Sequence, residues 1–115
     1  LGSEWRQYEE SFPKLQTSNL DIISLECHNS HVPIDLIEML RGKKVMVGAI
    51  DVASGAVETP EEVAGTLRKA LKFVDADKLY PCTNCGMAPL SRQTASGKLR
   101  ALSAGAEIVR KELSA

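Results

Sequence analysis

With 115 residues the chain is long enough for one domain with a hydrophobic core. Its net charge is −1 and its Lys and Arg residues form no stripe, which argues against a nucleic-acid partner, since phosphate binding needs clustered positive charge. The longest apolar runs fall far short of the ~20 residues that span a bilayer. No signal-peptide pattern opens the sequence and the cysteine count is odd, at three, so a cytoplasmic chain with free thiols is expected.

In chain order, Glu4 to Leu15 is predicted to be a helix, because Trp5, Tyr8, Phe12 and Leu15 share one face. Leu20 to Cys27 then carries a nearly continuous apolar run, Ile22, Ile23 and Leu25, as expected for a strand covered on both faces. Glu26 breaks that run near its end, where a carboxylate is costly to bury without a partner. Cys27-His28-Asn29-Ser30-His31 forms a loop. Pro33 can begin a helix whose inner face is Ile34, Ile37 and Leu40 and which Gly42 stops.

Lys43 to Asp51 is the second predicted strand, with Asp51 at its end as Glu26 ends the first. Thr59-Pro60-Glu61-Glu62 has the form of a capping box, and Val63, Leu67, Ala70, Leu71 and Val74 give the following helix a buried face. Leu79 to Thr83 is the third strand. It runs into Asn84-Cys85-Gly86, where the glycine permits a sharp turn. Ser91 can cap a last helix with Leu99, Leu102, Ala106, Val109 and Leu113 on one face, weakened by Gly97 and Gly105.

Strands that alternate with helices define a parallel α/β fold with right-handed crossovers. Such strands gather their carboxyl ends on one rim, which places Glu26, Asp51 and Cys85 together. Zinc accepts carboxylate and thiolate ligands, so Glu26 and Cys85 are candidate metal ligands. Free cysteine is also among the most buried residue types, and Cys85 read as a small core residue is the plain alternative. The pair Cys82 and Cys85 also matches C-x-x-C, which suits a redox dithiol or, with Cys27 and His28 or His31, a structural zinc site. Strand alternation turns Cys82 and Cys85 to opposite faces, so Cys82 is not expected to bind the metal.

Four motifs occur in one order: Asp21-Ile-Ile-Ser-Leu-Glu26, Val47-Gly-Ala-Ile-Asp51, Val57-Glu-Thr-Pro-Glu-Glu-Val63 and Asn84-Cys-Gly86. From about Trp5 to Leu113 the chain resembles the carboxy-terminal part of the catalytic barrel of the cobalamin-independent methionine synthases. The resemblance implies that residues 1–115 are one region supplying the last three βα units of a (βα)₈ barrel of TIM type, with the amino-terminal part as their partner. It implies a methyltransferase in which Zn2+ binds the thiol of homocysteine, held by Glu26 and Cys85 together with a His and a Cys from a preceding strand that this sequence does not contain. Asp51 is then a catalytic candidate. Met87 is a rim residue in this picture and not a ligand.

The sequence departs from the family pattern at three places. Ala53 stands where a histidine assigned to protonation of the methyl donor is usual, Asn84 where an aspartate is common, and Cys82 where an asparagine is common. The donor can therefore be a methyltetrahydrofolate or a methylcorrinoid, whose leaving group needs no proton. The alternatives are a superfamily relative serving another thiol or a corrinoid, and a non-catalytic piece that packs against a partner. On its own, a small parallel sheet with two open edges is expected to fold poorly or to associate.

Overall fold

The computed structural model describes residues 8–29 and 32–114. Trp5 and His31 lie outside them. Helix α1 spans Tyr8–Gln16 and strand β1 Ile22–Glu26. A 3₁₀ helix follows over Ile34–Leu40, then β2 at Lys44–Ile50 and α2 at Pro60–Ala70. Strand β3 spans Leu79–Thr83, and α3 runs from Arg92 to Ser114.

The three strands lie in the order β1-β2-β3, and both pairings are parallel. Ile23 pairs with Val45 and Leu25 with Val47, while Val45 pairs with Leu79 and Val47 with Pro81. Side chains alternate along a strand, so these residues share one face. That face carries the core: Val45, Val47, Ala49 and Ile50 meet Leu36, Ile37 and Leu40 of the 3₁₀ helix and Val63, Ala64 and Leu67 of α2.

The expected cover of the strands is present on one face among the described residues. Ile22 is 49% exposed, Met46 36% and Tyr80 42%. The helices of this chain cover one face, and the apolar side chains of the other face have nothing described over them. Apolar residues stand on both faces, as in buried parallel sheets, but this chain supplies only one of the two layers.

The helix predicted after Pro33 forms over Ile34–Leu40 as a 3₁₀ helix, and Pro33 stands just before it with φ −65° and ψ 130°. Three residues per turn brings Ile34, Ile37 and Leu40 into line, so the i, i+3 spacing suits the tighter helix. Gly42 ends the turn with φ +88°, where a side chain would be strained. The capping box of α2 forms in full: the Thr59 hydroxyl accepts the Glu62 N–H at 3.1 Å, and the Glu62 carboxylate accepts the Thr59 N–H at 3.4 Å. Ser91 caps α3 by accepting the Thr94 N–H at 3.1 Å.

The buried face of α3 agrees with the predicted one at Ala106 and Val109 and departs from it elsewhere. Lys98, Ala101, Gly105, Ala106 and Val109 are buried, whereas Leu99 and Leu113 are exposed. The cause is close contact with α2. A Cβ on Gly105 would lie 2.5 Å from Val63 Cβ and 2.8 Å from the Pro60 carbonyl oxygen. The glycine read as a weak point is therefore where the two helices touch. Arg68 of α2 clasps the same pair from outside, with Nε and Nη2 on the two carboxylate oxygens of Glu112 at 3.0 and 2.5 Å.

Candidate active site

Parallel pairing puts the carboxyl ends of all three strands on one rim. Glu26 is the last residue of β1, Asp51 directly follows β2, and Cys85 lies two residues past β3. The 3₁₀ helix with its flanking turns, and α2 with its own, carry the chain back to the opposite rim, as in any βαβ unit.

Around Asp51 the geometry is dense. The Asp51 N–H donates to Glu58 Oε2 at 2.9 Å, and Asp51 Oδ1 accepts the Ala53 N–H at 2.9 Å. Glu58 is buried and in turn meets Lys98, whose side chain is fully enclosed. Lys98 Nζ donates to Glu58 Oε1 at 3.0 Å, to the Asp51 carbonyl at 2.8 Å and to the Ala56 carbonyl at 2.6 Å. An ammonium has three protons, and these contacts use all of them. His28 Nε2, from the loop after β1, stands 3.9 Å from Glu58 Oε2. A cavity of about 110 Å³ opens here, lined by His28, Asn29, Asp51, Ser54 and Glu58 among others. A larger one, about 370 Å³, lies at the opposite rim between Gly42, Leu71 and Lys78. It is remote from the strand ends that carry candidate chemistry.

Asn84 ties the three strand ends together. Its N–H donates to the Ile50 carbonyl at 2.9 Å, and its Nδ2 donates to the His28 carbonyl at 2.8 Å. Its Oδ1 is buried with no hydrogen-bond partner. Gly48 makes room for it: a Cβ there would sit 2.3 Å from Asn84 Oδ1 and 2.9 Å from the Leu25 carbonyl oxygen. An aspartate in place of Asn84 would lose the donor that holds the His28 carbonyl and would bring a charge to the unpartnered oxygen.

The cysteines differ sharply. Cys85 is exposed, and its carbonyl accepts the Thr83 hydroxyl at 2.9 Å, which fixes the turn that presents it. Cys27 is half-buried, and burial pushes its thiol up to about 12, assisted by the charge of Cys82 and opposed by a hydrogen bond from the Gly48 backbone. Burial also raises Cys82, against a hydrogen bond with Ser24. Glu26 pairs in register with Gly48, and Gly48 with Cys82. Cys82 thus shares a sheet layer with Glu26 on the open face. Alternation along the strand ends at Thr83, so it does not set the direction of Cys85.

Among the described residues no three His, Cys, Asp or Glu side chains cluster closely enough to hold a metal ion. Among the described residues Cys27, His28, Cys82 and Cys85 do not form such a group, and His31, the other histidine considered, lies outside them. The donor chemistry of Glu26 and Cys85, one carboxylate and one exposed thiol at the ends of the two outer strands with β2 between them, fits zinc as part of a ligand set. Sequence reasoning missed the Glu58–Lys98 pair. Its signal was a lysine on the small-residue stripe of α3, flanked at helical spacing by Ala101 and Gly105.

What these strands and this rim define is a set of βα units of the TIM-barrel class, with the candidate chemistry at the carboxyl ends of its strands. A model of the cobalamin-independent synthase catalytic domain matches residues 5–107, and the chain belongs to that family. It is 36% identical to the 2-hydroxypropyl-CoM lyase of Xanthobacter autotrophicus over 108 residues, which is 88% of this chain and 29% of the relative. It is 38% identical to the methionine synthase of Thermococcus kodakarensis over 80 residues, covering 70% and 24% of the two chains. The B12-independent methionine synthase of Shewanella sp. W3-18-1, solved in complex with selenomethionine, superposes with a TM-score of 0.94 at 82% identity. That match covers 98% of this chain and 33% of the other. The chain thus spans about a third or less of the proteins it matches.

Proposed function

We propose that this chain supplies the last three βα units of the catalytic barrel of a zinc-dependent methyltransferase, which moves a methyl group to the thiol of homocysteine and yields methionine. The observation that carries this reading is the 82% identity, over nearly the whole chain, to a B12-independent methionine synthase solved with selenomethionine, the selenium analogue of that product. Glu26 and Cys85 are the two residues of this chain that would hold the zinc, with the remaining ligands and the rest of the barrel coming from sequence outside it. Bound there, zinc would favour the thiolate of the substrate at neutral pH. Asp51 stands at the same rim as a catalytic candidate. Such a protein would work in the cytoplasm. Among the described residues no helix is long and apolar enough to cross a membrane.

A thiol other than homocysteine is the second reading, favoured by the similarity to a 2-hydroxypropyl-CoM lyase. Ala53 leaves the methyl donor open between a methyltetrahydrofolate and a methylcorrinoid. The test uses the full polypeptide that carries this sequence. Methyl transfer is assayed with each donor and with homocysteine against other thiols, and bound zinc is measured alongside. Glu26→Gln is expected to lower zinc content and activity, and Cys85→Ser to lower both further. Full activity with unchanged zinc in Cys85→Ser would refute the assignment.

A further inference from the structure

We propose that Glu58 and Lys98 form a positioning pair that fixes the β2–α2 loop and, through it, Asp51 at the rim. This rests on the reading of that rim as the reaction site. Three observations on different elements carry it. The Lys98 side chain is fully buried, and its ammonium spends its protons on two loop carbonyls, those of Asp51 and Ala56, and on Glu58. Glu58 receives the Asp51 N–H, so both backbone groups of Asp51 are held by this one pair. Glu58 Oε2 also faces His28 Nε2 at 3.9 Å, which brings the loop after β1 to the same centre.

The arrangement is more than packing. Apolar residues at 58 and 98 could fill the space, but the Asp51 and Ala56 carbonyls would lose their Nζ donor. Residues 51–57 have no strand or helix hydrogen bonds of their own to fall back on. A loop of that kind opens locally at low free-energy cost unless side chains pin it. Lys98 reaches it from α3, whose capped start and close contact with α2 make it a firm base. The cavity of about 110 Å³ between Asp51, Ser54 and His28 takes its shape from this pinning.

The experiment compares hydrogen–deuterium exchange in the full polypeptide, its Lys98→Met variant and the Lys98→Met/Glu58→Gln double variant. The double variant leaves no unpaired buried charge, so it folds even where the single variant does not. Exchange over residues 51–57 is expected to rise about tenfold or more in the double variant, with β2 and α2 unchanged. Methyl-transfer kcat is expected to fall about tenfold or more while the KM for the thiol moves less than about twofold, as for misplacement of a group at the reacting centre. Unchanged exchange over 51–57 would overturn the proposal. So would an equal rise across the sheet and helices, or failure of both variants to fold, because the pair would then serve stability alone. A wild-type polypeptide with no methyl transfer would refute the function proposed above, and the exchange result would still judge the pair.

Discussion

At the scale of single residues, the rim is built from side chains that satisfy one another, and the exceptions are informative. Removing one partner of the Glu58–Lys98 pair strands a buried charge. Lys98→Met alone is expected to cost roughly 3–5 kcal/mol and the double replacement much less, read as shifts in denaturation midpoint. Gly48 is equally constrained, because its missing Cβ makes room for Asn84 Oδ1 and the Leu25 carbonyl. Gly48→Ala forces backbone apart at the centre of the sheet, and a loss of about 1–3 kcal/mol is expected. The thiols give a pH test. Cys27 is raised from 9.0 to about 12 in the fold, chiefly by burial. Between those values the unfolded chain releases a proton that the folded chain keeps. The Cys27 contribution is therefore whole below pH 9 and is lost as pH rises towards 12. A Cys27→Ala variant should show a shallower loss of stability across that window. Near neutral pH an alkylating reagent should modify exposed Cys85 first and Cys27 only on unfolding.

At the scale of elements, most of the architecture was legible because each signal was local. The apolar runs located the strands to within about two residues at each end, and Thr59-Pro60-Glu61-Glu62 announced both a cap and a helix start. The face of α3 was legible only in part: of Leu99, Leu102, Ala106, Val109 and Leu113, which recur at helical spacing, Ala106 and Val109 are buried and Leu102 is partly buried against the core, while Leu99 and Leu113 are exposed. The stripe that is buried carries Lys98, Ala101 and Gly105, and small residues win there because they let α2 approach closely. The partner of Lys98 lies forty residues earlier in the chain, and no local pattern reveals a pairing of that range. For the candidate site, the strand ends named Glu26, Asp51 and Cys85, while the side chains that hold Asp51 emerged only from the packing. The contact at Gly105 gives a direct test. Gly105→Ala gains about 1 kcal/mol of helix propensity. It also drives a Cβ to within 2.5 Å of Val63, which is fully buried and has no room to move. Overpacking of this kind costs about 1–3 kcal/mol, so a net loss of thermal stability is expected, and a gain would mean that α2 and α3 separate easily.

At the scale of the whole molecule, the decisive feature is the sheet face that this chain leaves open. The radius of gyration is 14.1 Å, a little above the ~13 Å expected of a compact chain of this length. Met46 pairs with Ser24 on one side and with Tyr80 on the other, which sets a half-apolar row at the centre of the open face. Parallel sheets are covered on both faces almost without exception, because their apolar residues point both ways. The missing cover is the rest of the barrel under the proposed function, so the same residue should respond oppositely in two contexts. In residues 1–115 produced alone, Met46→Lys replaces an exposed apolar side chain with a solvated one. It should change stability by less than about 0.5 kcal/mol and reduce self-association. In the full polypeptide the same lysine would stand inside the barrel, where an unpaired charge costs several kcal/mol, and folding or thermal stability should drop sharply. Sedimentation of the short chain and thermal denaturation of the long one read the two effects separately. Equal tolerance in both would show that this face meets solvent in the whole protein, and the barrel arrangement would fail. A short chain that is monomeric and melts cooperatively without the substitution would contradict the expected association.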